Sequence, residues 1–283
     1  MAQNEIPLPL GDLDRVVPLT NLLELYITLD GSTDDDPDDE LSNTLVELIR
    51  GAANIEYLSL VFEEDDDHGA APWGSVELFM ELDPHCFPNL RMLGIKSLYL
   101  VPIDNYSGPK FRQLIRNSNK LQKIILSTDG YDSSPRFIDP PLLIITYTDT
   151  EEMMPSIRHF GGPGLLVREL LKSKLAKQIQ LLELREPGPS ELGGLHDLLP
   201  EFDNSTMVEL PNLKGLGYLK SYEEDNGWEA ITSLLSKLST RLLALQELIL
   251  AQFDWPEPSQ LVSCLSTLLS NVTHQAYFHM SSF

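Results

Sequence analysis

FPNLRMLGI, residues 87–95, places three apolar side chains at uneven spacing: Leu90, then Leu93, then Ile95. The last two are two positions apart, so in an extended chain they point to one face. Leu90 enters from a turn and points into the same core. Pro88 and Asn89 make that turn. Proline forbids helix continuation, and asparagine tolerates the left-handed conformation in which helices end. The segment reads as a corner where a helix gives way to a short strand with one buried face.

The same spacing recurs along the chain. It appears as Leu22, Leu25, Ile27, as Ile55, Leu58, Leu60 and as Leu121, Ile124, Leu126. It returns as Ile179, Leu182, Leu184, as Leu213, Leu216, Tyr218 and as Leu245, Leu248, Leu250. Weaker copies are Leu142, Ile145, Tyr147 and the terminal residues 272–278. The usual interval is roughly 30 to 35 residues, within the range of solenoid repeats. Asn21, Asn54, Asn89 and Asn212 stand just before the first apolar residue of their copies. A set of corners in phase with the strands is much harder to produce by chance than one.

Helical periodicity fills the intervals. Leu41, Leu45, Leu48 and Ile49 form one stripe, with Gly51 as its stop. Further stripes lie at residues 76–82, 111–115, 165–175, 192–199, 231–238 and 261–269. Strand and helix alternate, and each unit has an apolar face that only its neighbours can cover. The expectation is one α/β domain spanning residues 1–283. A doubly wound α/β domain is the alternative.

The segments FPNLRMLGI, LPNLKGLGY and ALQELIL resemble the leucine-rich-repeat family, and the long irregular units are similar to the repeat regions of fungal F-box proteins. The resemblance implies a horseshoe solenoid, with a concave parallel sheet and outer helices. It also implies a role in protein recognition, such as substrate selection for a ubiquitin ligase. No F-box-like helical segment precedes the first repeat, so this chain would be the recognition part alone. One departure is clear. Regular members carry Asn or Cys shortly after the last strand Leu, where it bonds turn to turn. Here the positions are Asp30, Glu63, Leu98, Asp129, Pro187, Ser221 and Phe253. A carboxylate cannot donate to a carbonyl as an amide does, so the turns must be satisfied otherwise.

Charge narrows the function classes. With 43 acidic and 20 basic residues the net charge is -23. Phosphate backbones and anionic membrane surfaces are repelled, and basic protein surfaces are attracted. Two cysteines, Cys86 and Cys264, make neither a disulfide framework nor a zinc site, and both are expected as buried thiols in helices. The first residues show no secretory signal and no apolar run reaches membrane-span length. A cytoplasmic or nuclear location is expected.

Two sets of residues are candidates for binding. Asp34, Asp35, Asp36, Asp38, Asp39 and Glu40 follow the first strand, and Glu63, Glu64, Asp65, Asp66 and Asp67 follow the second. Loops leaving strand carboxyl ends share one rim, so these are read either as solvated loops or as a rim that steers a basic partner. They lack the spacing of a calcium loop, and no metal or cofactor is expected. The second set alternates with the buried strand positions on the open face: Tyr26, Tyr57, Lys96, Lys123, Glu183 and Arg185, with Thr146 and Thr148 beside them. Tyr26 and Tyr57 are an expected aromatic anchor.

None of the six histidines has metal-ligand spacing. FGGPG, residues 160–164, lacks the lysine of a phosphate loop and reads as a turn before a helix. No G-x-S-x-G, H-E-x-x-H or kinase set occurs. The C-terminal QAYFHMSSF is an expected open edge where a second copy could pair. Three functions remain: a protein-recognition module, a binder of carbohydrate or small ligands on the concave face, and an α/β enzyme.

Overall fold

A computed structural model describes residues 20–30, 39–63, 75–96, 108–127, 146–186, 210–220, 244–251 and 277–281, together with Ser233 and Ser266. Nine strands form one parallel sheet whose spatial order is the chain order. They are β1 (Glu24–Asp30), β2 (Tyr57–Glu63), β3 (Met92–Lys96), β4 (Lys123–Ser127), β5 (His159–Gly162), β6 (Leu181–Glu186), β7 (Gly215–Lys220), β8 (Glu247–Ala251) and β9 (Tyr277–Ser281). The described helices are α1 (Asp39–Gly51), α2 (Ser75–Glu81), α3 (Gly108–Asn117), α4 (Tyr147–Met153) and α5 (Gly164–Lys172). A short 3-10 turn, Lys174–Gln178, follows α5. The architecture is α/β and solenoid-like. Among the described residues the strand order never reverses, so their sheet has no switch point of a doubly wound fold.

The register places the repeated apolar residues in rows across the sheet. Leu25, Leu58, Leu93, Ile124, Phe160, Leu182, Leu216 and Leu248 are successive partners. Two positions on, Ile27, Leu60, Ile95 and Leu126 form a second row. Helix stripes cover this face: Val46 and Ile49 from α1, Phe111, Leu114 and Ile115 from α3, and Val167 and Leu170 from α5 are all buried in the same continuous core. Phe79 of α2 meets Phe111 of α3 edge to face, with ring centroids 4.9 Å apart.

The corners are satisfied ahead of the strands. One carbonyl of each unit accepts two backbone N–H groups of the next: Leu23 from Glu56 and Tyr57, Glu56 from Arg91 and Met92, Arg91 from Gln122 and Lys123. The pattern continues from Gln122, Arg158, Gln180 and Lys214, reaching β8. Side-chain amides add a second tie. Asn54 donates to the Thr20 carbonyl at 2.6 Å, Asn89 to Asn54 Oδ1 at 3.3 Å and Asn212 to the Lys177 carbonyl at 2.6 Å. The asparagines ahead of β2, β3 and β7 therefore tie neighbouring units together.

Two expectations are corrected. The weak copy at Leu142, Ile145 and Tyr147 is not a strand where it is described: Tyr147 begins α4. Thr146 caps that helix, its hydroxyl accepting from Asp149 N while Asp149 Oδ2 accepts from Thr146 N. This capping box outweighs the apolar spacing, and Thr146 and Thr148 leave the sheet face. FGGPG is not a turn: Phe160–Gly162 lies in β5 and Gly164 opens α5. The Phe160 ring lies where a side chain at 162 would stand, since a Cβ on Gly162 would be 3.0 Å from Phe160 Cε1. One aromatic residue fills two core positions.

Cys86 is also corrected. It follows α2 in a turn rather than in a helix, and it is half-buried. Burial, helped by Asp83, pushes its thiol up to about 12. Cys264, the stripe at 192–199 and nearly all of the stripes at 231–238 and 261–269 lie outside the described residues. Among the described residues no helix is long and apolar enough to cross a membrane.

Candidate functional site

The sheet has a second face, which alternates with the core rows and is not covered by the described helices. Along one row it carries Glu24, Tyr57, Met92, Lys123, His159, Leu181, Gly215 and Glu247 as successive register partners. The next row carries Tyr26, Ser59, Gly94, Ile125, Gly161, Glu183, Gly217 and Ile249. A third row includes Lys96 beside Ser127, and Arg185 beside Leu219.

Tyr26 is 62% exposed, and Tyr57 lies diagonally across from it on the neighbouring strand. Both therefore sit on one face at the β1–β2 end, as the alternation expects. Lys96 and Lys123 are half-buried on β3 and β4. Glu183 and Arg185 stand two apart on β6.

Glu183 is distinct from the others, being a charged side chain only 6% exposed. Arg185 donates to its Oε2 from Nε at 3.0 Å and from Nη2 at 2.6 Å. His159 Nε2 stands 2.7 Å from its Oε1. Burial raises the affinity of Glu183 for a proton. The hydrogen bond from His159 and the charge of Arg185 outweigh this and hold the carboxyl at about 2. The carboxylate is thus turned into a cluster rather than toward solvent.

Glycines make the cluster fit. A Cβ on Gly217 would lie 3.0 Å from Glu183 Cγ. A Cβ on Gly161 would lie 3.3 Å from Arg185 Nε and 3.4 Å from Glu183 Oε2. The β6 side chains lie flat over the bare backbone of β5 and β7. His159 is the residue that sequence reasoning missed. The FGGPG segment that follows it reads as a turn, and its partner lies 24 positions away with no local motif to link them.

The acidic set is only partly placed. Asp39 begins α1 and Glu63 ends β2. Asp34, Asp35, Asp36, Asp38, Glu64, Asp65, Asp66 and Asp67 lie outside the described residues. The ends of β1 and β2, Asp30 and Glu63, are register partners, so both acidic segments leave the sheet from neighbouring strand ends. Among the described residues, no group of His, Cys, Asp or Glu is arranged to hold a metal ion.

No protein-family model and no curated protein matches the chain. Among solved structures, it is similar to a crystal structure of a protein from Bacteroides fragilis. The two are 12% identical with a TM-score of 0.42, over 94% of this chain and 68% of that one.

Proposed function

We propose that the chain is a leucine-rich-repeat solenoid that recognises a protein partner through the open face of its sheet. The observation that carries this reading is the continuity of that face across consecutive strands. Exposed or half-buried Tyr26, Tyr57, Met92 and Lys123 occupy adjoining positions on it. Aromatic and methionine side chains are among the types enriched where proteins bind one another. A regular sheet also holds them at fixed spacing, which lowers the entropy lost on binding. The resemblance to fungal F-box repeat regions points to substrate selection for ubiquitination as the cellular use. The acidic segments leaving β1 and β2 favour a partner with basic surface nearby.

The test is affinity capture with paired variants. Partners held by the native chain should be lost with Tyr26→Ala combined with Tyr57→Ala, and retained with Gln113→Ala on the exposed side of α3. Capture that ignores the tyrosines removes the proposal. Charge reversal across residues 34–40 tests the acidic segments separately, and unchanged partners would exclude them. A carbohydrate ligand is the second reading, favoured by the exposed ring of Tyr26 beside Tyr57. A glycan array read with the same tyrosine variants distinguishes it.

A further inference from the structure

We propose that the centre of the open face seats a carboxylate carried on an extended peptide of the partner, held between Lys123 and Arg185. The proposal rests on the protein-recognition reading and names the chemistry recognised. In a chain with 43 acidic and 20 basic residues, the open-face positions of β4, β5 and β6 run the other way. They hold Lys123, His159 and Arg185 against a single carboxylate, Glu183. That carboxylate is already occupied, with Oε1 facing His159 and Oε2 accepting twice from Arg185. Lys123 is not among its donors.

Lys123 forms no ion pair among the described residues although it is half-buried beside His159. Partial burial of an ammonium without a counter-ion is unfavourable, and an incoming carboxylate relieves it. Arg185 is held ready for the same ligand. Nε and Nη2 are spent on Glu183, while Nη1 makes no hydrogen bond among the described residues.

The spacing suits one carboxylate. Arg185 Nε lies 3.3 Å from the point where a Gly161 Cβ would stand. Gly161 is one strand over from Lys123 and two residues along, about 8 Å between backbone positions on ordinary sheet dimensions, a distance that the flexible lysine stem shortens for its ammonium. A carboxylate that accepts from both cations needs each donor nitrogen within about 3 Å of one of its oxygens. Ile125 borders the gap, and Met92 stands on the far side of Lys123 on the same face, so an apolar side chain next to the acidic one completes the fit. The remaining negative charge of the protein repels such a peptide little, because charges farther away than about 8 Å are largely screened at physiological salt.

The test uses the full chain on an array of nine-residue peptides whose positions sample Asp, Glu, Lys, Arg, Leu, Tyr and Gln. The expected result is enrichment of Asp or Glu with Leu or Tyr nearby. Lys123→Gln should weaken the best peptide about tenfold, and Lys123→Glu should turn the preference toward Lys and Arg. Both variants should unfold at the native temperature. Binders without acidic enrichment, no binders at all, or a preference unchanged in Lys123→Glu would each overturn the carboxylate seat. The recognition reading survives any of these if capture still requires Tyr26 and Tyr57. Capture independent of those tyrosines removes that reading whatever the array returns.

Discussion

His159 and Glu183 meet across neighbouring strands, imidazole Nε2 to carboxylate Oε1, at 2.7 Å. An ionised carboxylate only accepts, so Nε2 carries the hydrogen and donates it. Arg185 completes the pairing from the far side of the carboxylate. A buried charge of this kind stabilises the fold only while both partners remain, because removing one leaves the other desolvated and alone.

The cluster makes stability depend on pH in a defined direction. The Glu183 carboxyl is held at about 2 against an ordinary value near 4.5. Its contribution, about 3 kcal/mol by linkage, is fully present above the unfolded value. It disappears as the pH falls through the folded one. Urea unfolding at pH 6 and at pH 3 should show the native chain losing more stability than Glu183→Gln over that interval. Equal losses in the two proteins would mean that Glu183 is not held in the ionised pair.

Gly217 is expected to be intolerant of a side chain because Glu183 lies over it. A methyl there meets Glu183 Cγ at 3.0 Å and its Cα at 3.5 Å, so Gly217→Ala should cost about 1–3 kcal/mol by overpacking. The same substitution made together with Glu183→Ala should cost less than the sum of the two alone. A simple sum in denaturant unfolding would place the strain elsewhere.

Asn212 donates its amide to the Lys177 carbonyl of the preceding unit. Asn212→Ala should therefore lower stability by about 1 kcal/mol. Asn212→Asp should be at least as harmful, since it sets an acceptor against an acceptor. An aspartate as stable as asparagine, by urea unfolding at neutral pH, would show that the amide tie between units carries no weight.

Most of the strand framework is written in side-chain spacing. Leu58 and Leu60, Leu93 and Ile95, and Ile124 and Leu126 fall on β2, β3 and β4 and line up as partners. The pattern survives because each unit meets the same neighbour at the same place. It fails at β5, whose sequence HFGG offers one apolar side chain and two glycines. There the strand is held by neighbouring backbones and by a ring that covers the position of Gly162. Losing β5 also hid His159, and with it the reason Glu183 is buried. Tyr26, Tyr57, Lys123 and Arg185 were legible because alternation alone assigns their face. The fate of the Glu183 charge depends on a diagonal contact that no local spacing encodes.

The central claim is that partners bind on the open face of the sheet. Photo-crosslinking tests it directly, with a benzophenone amino acid placed in turn at Tyr26, at Tyr57 and at Gln113 on α3. Adducts with a captured partner should form from positions 26 and 57 and not from 113. Adducts from 113 without any from the two sheet positions would contradict it.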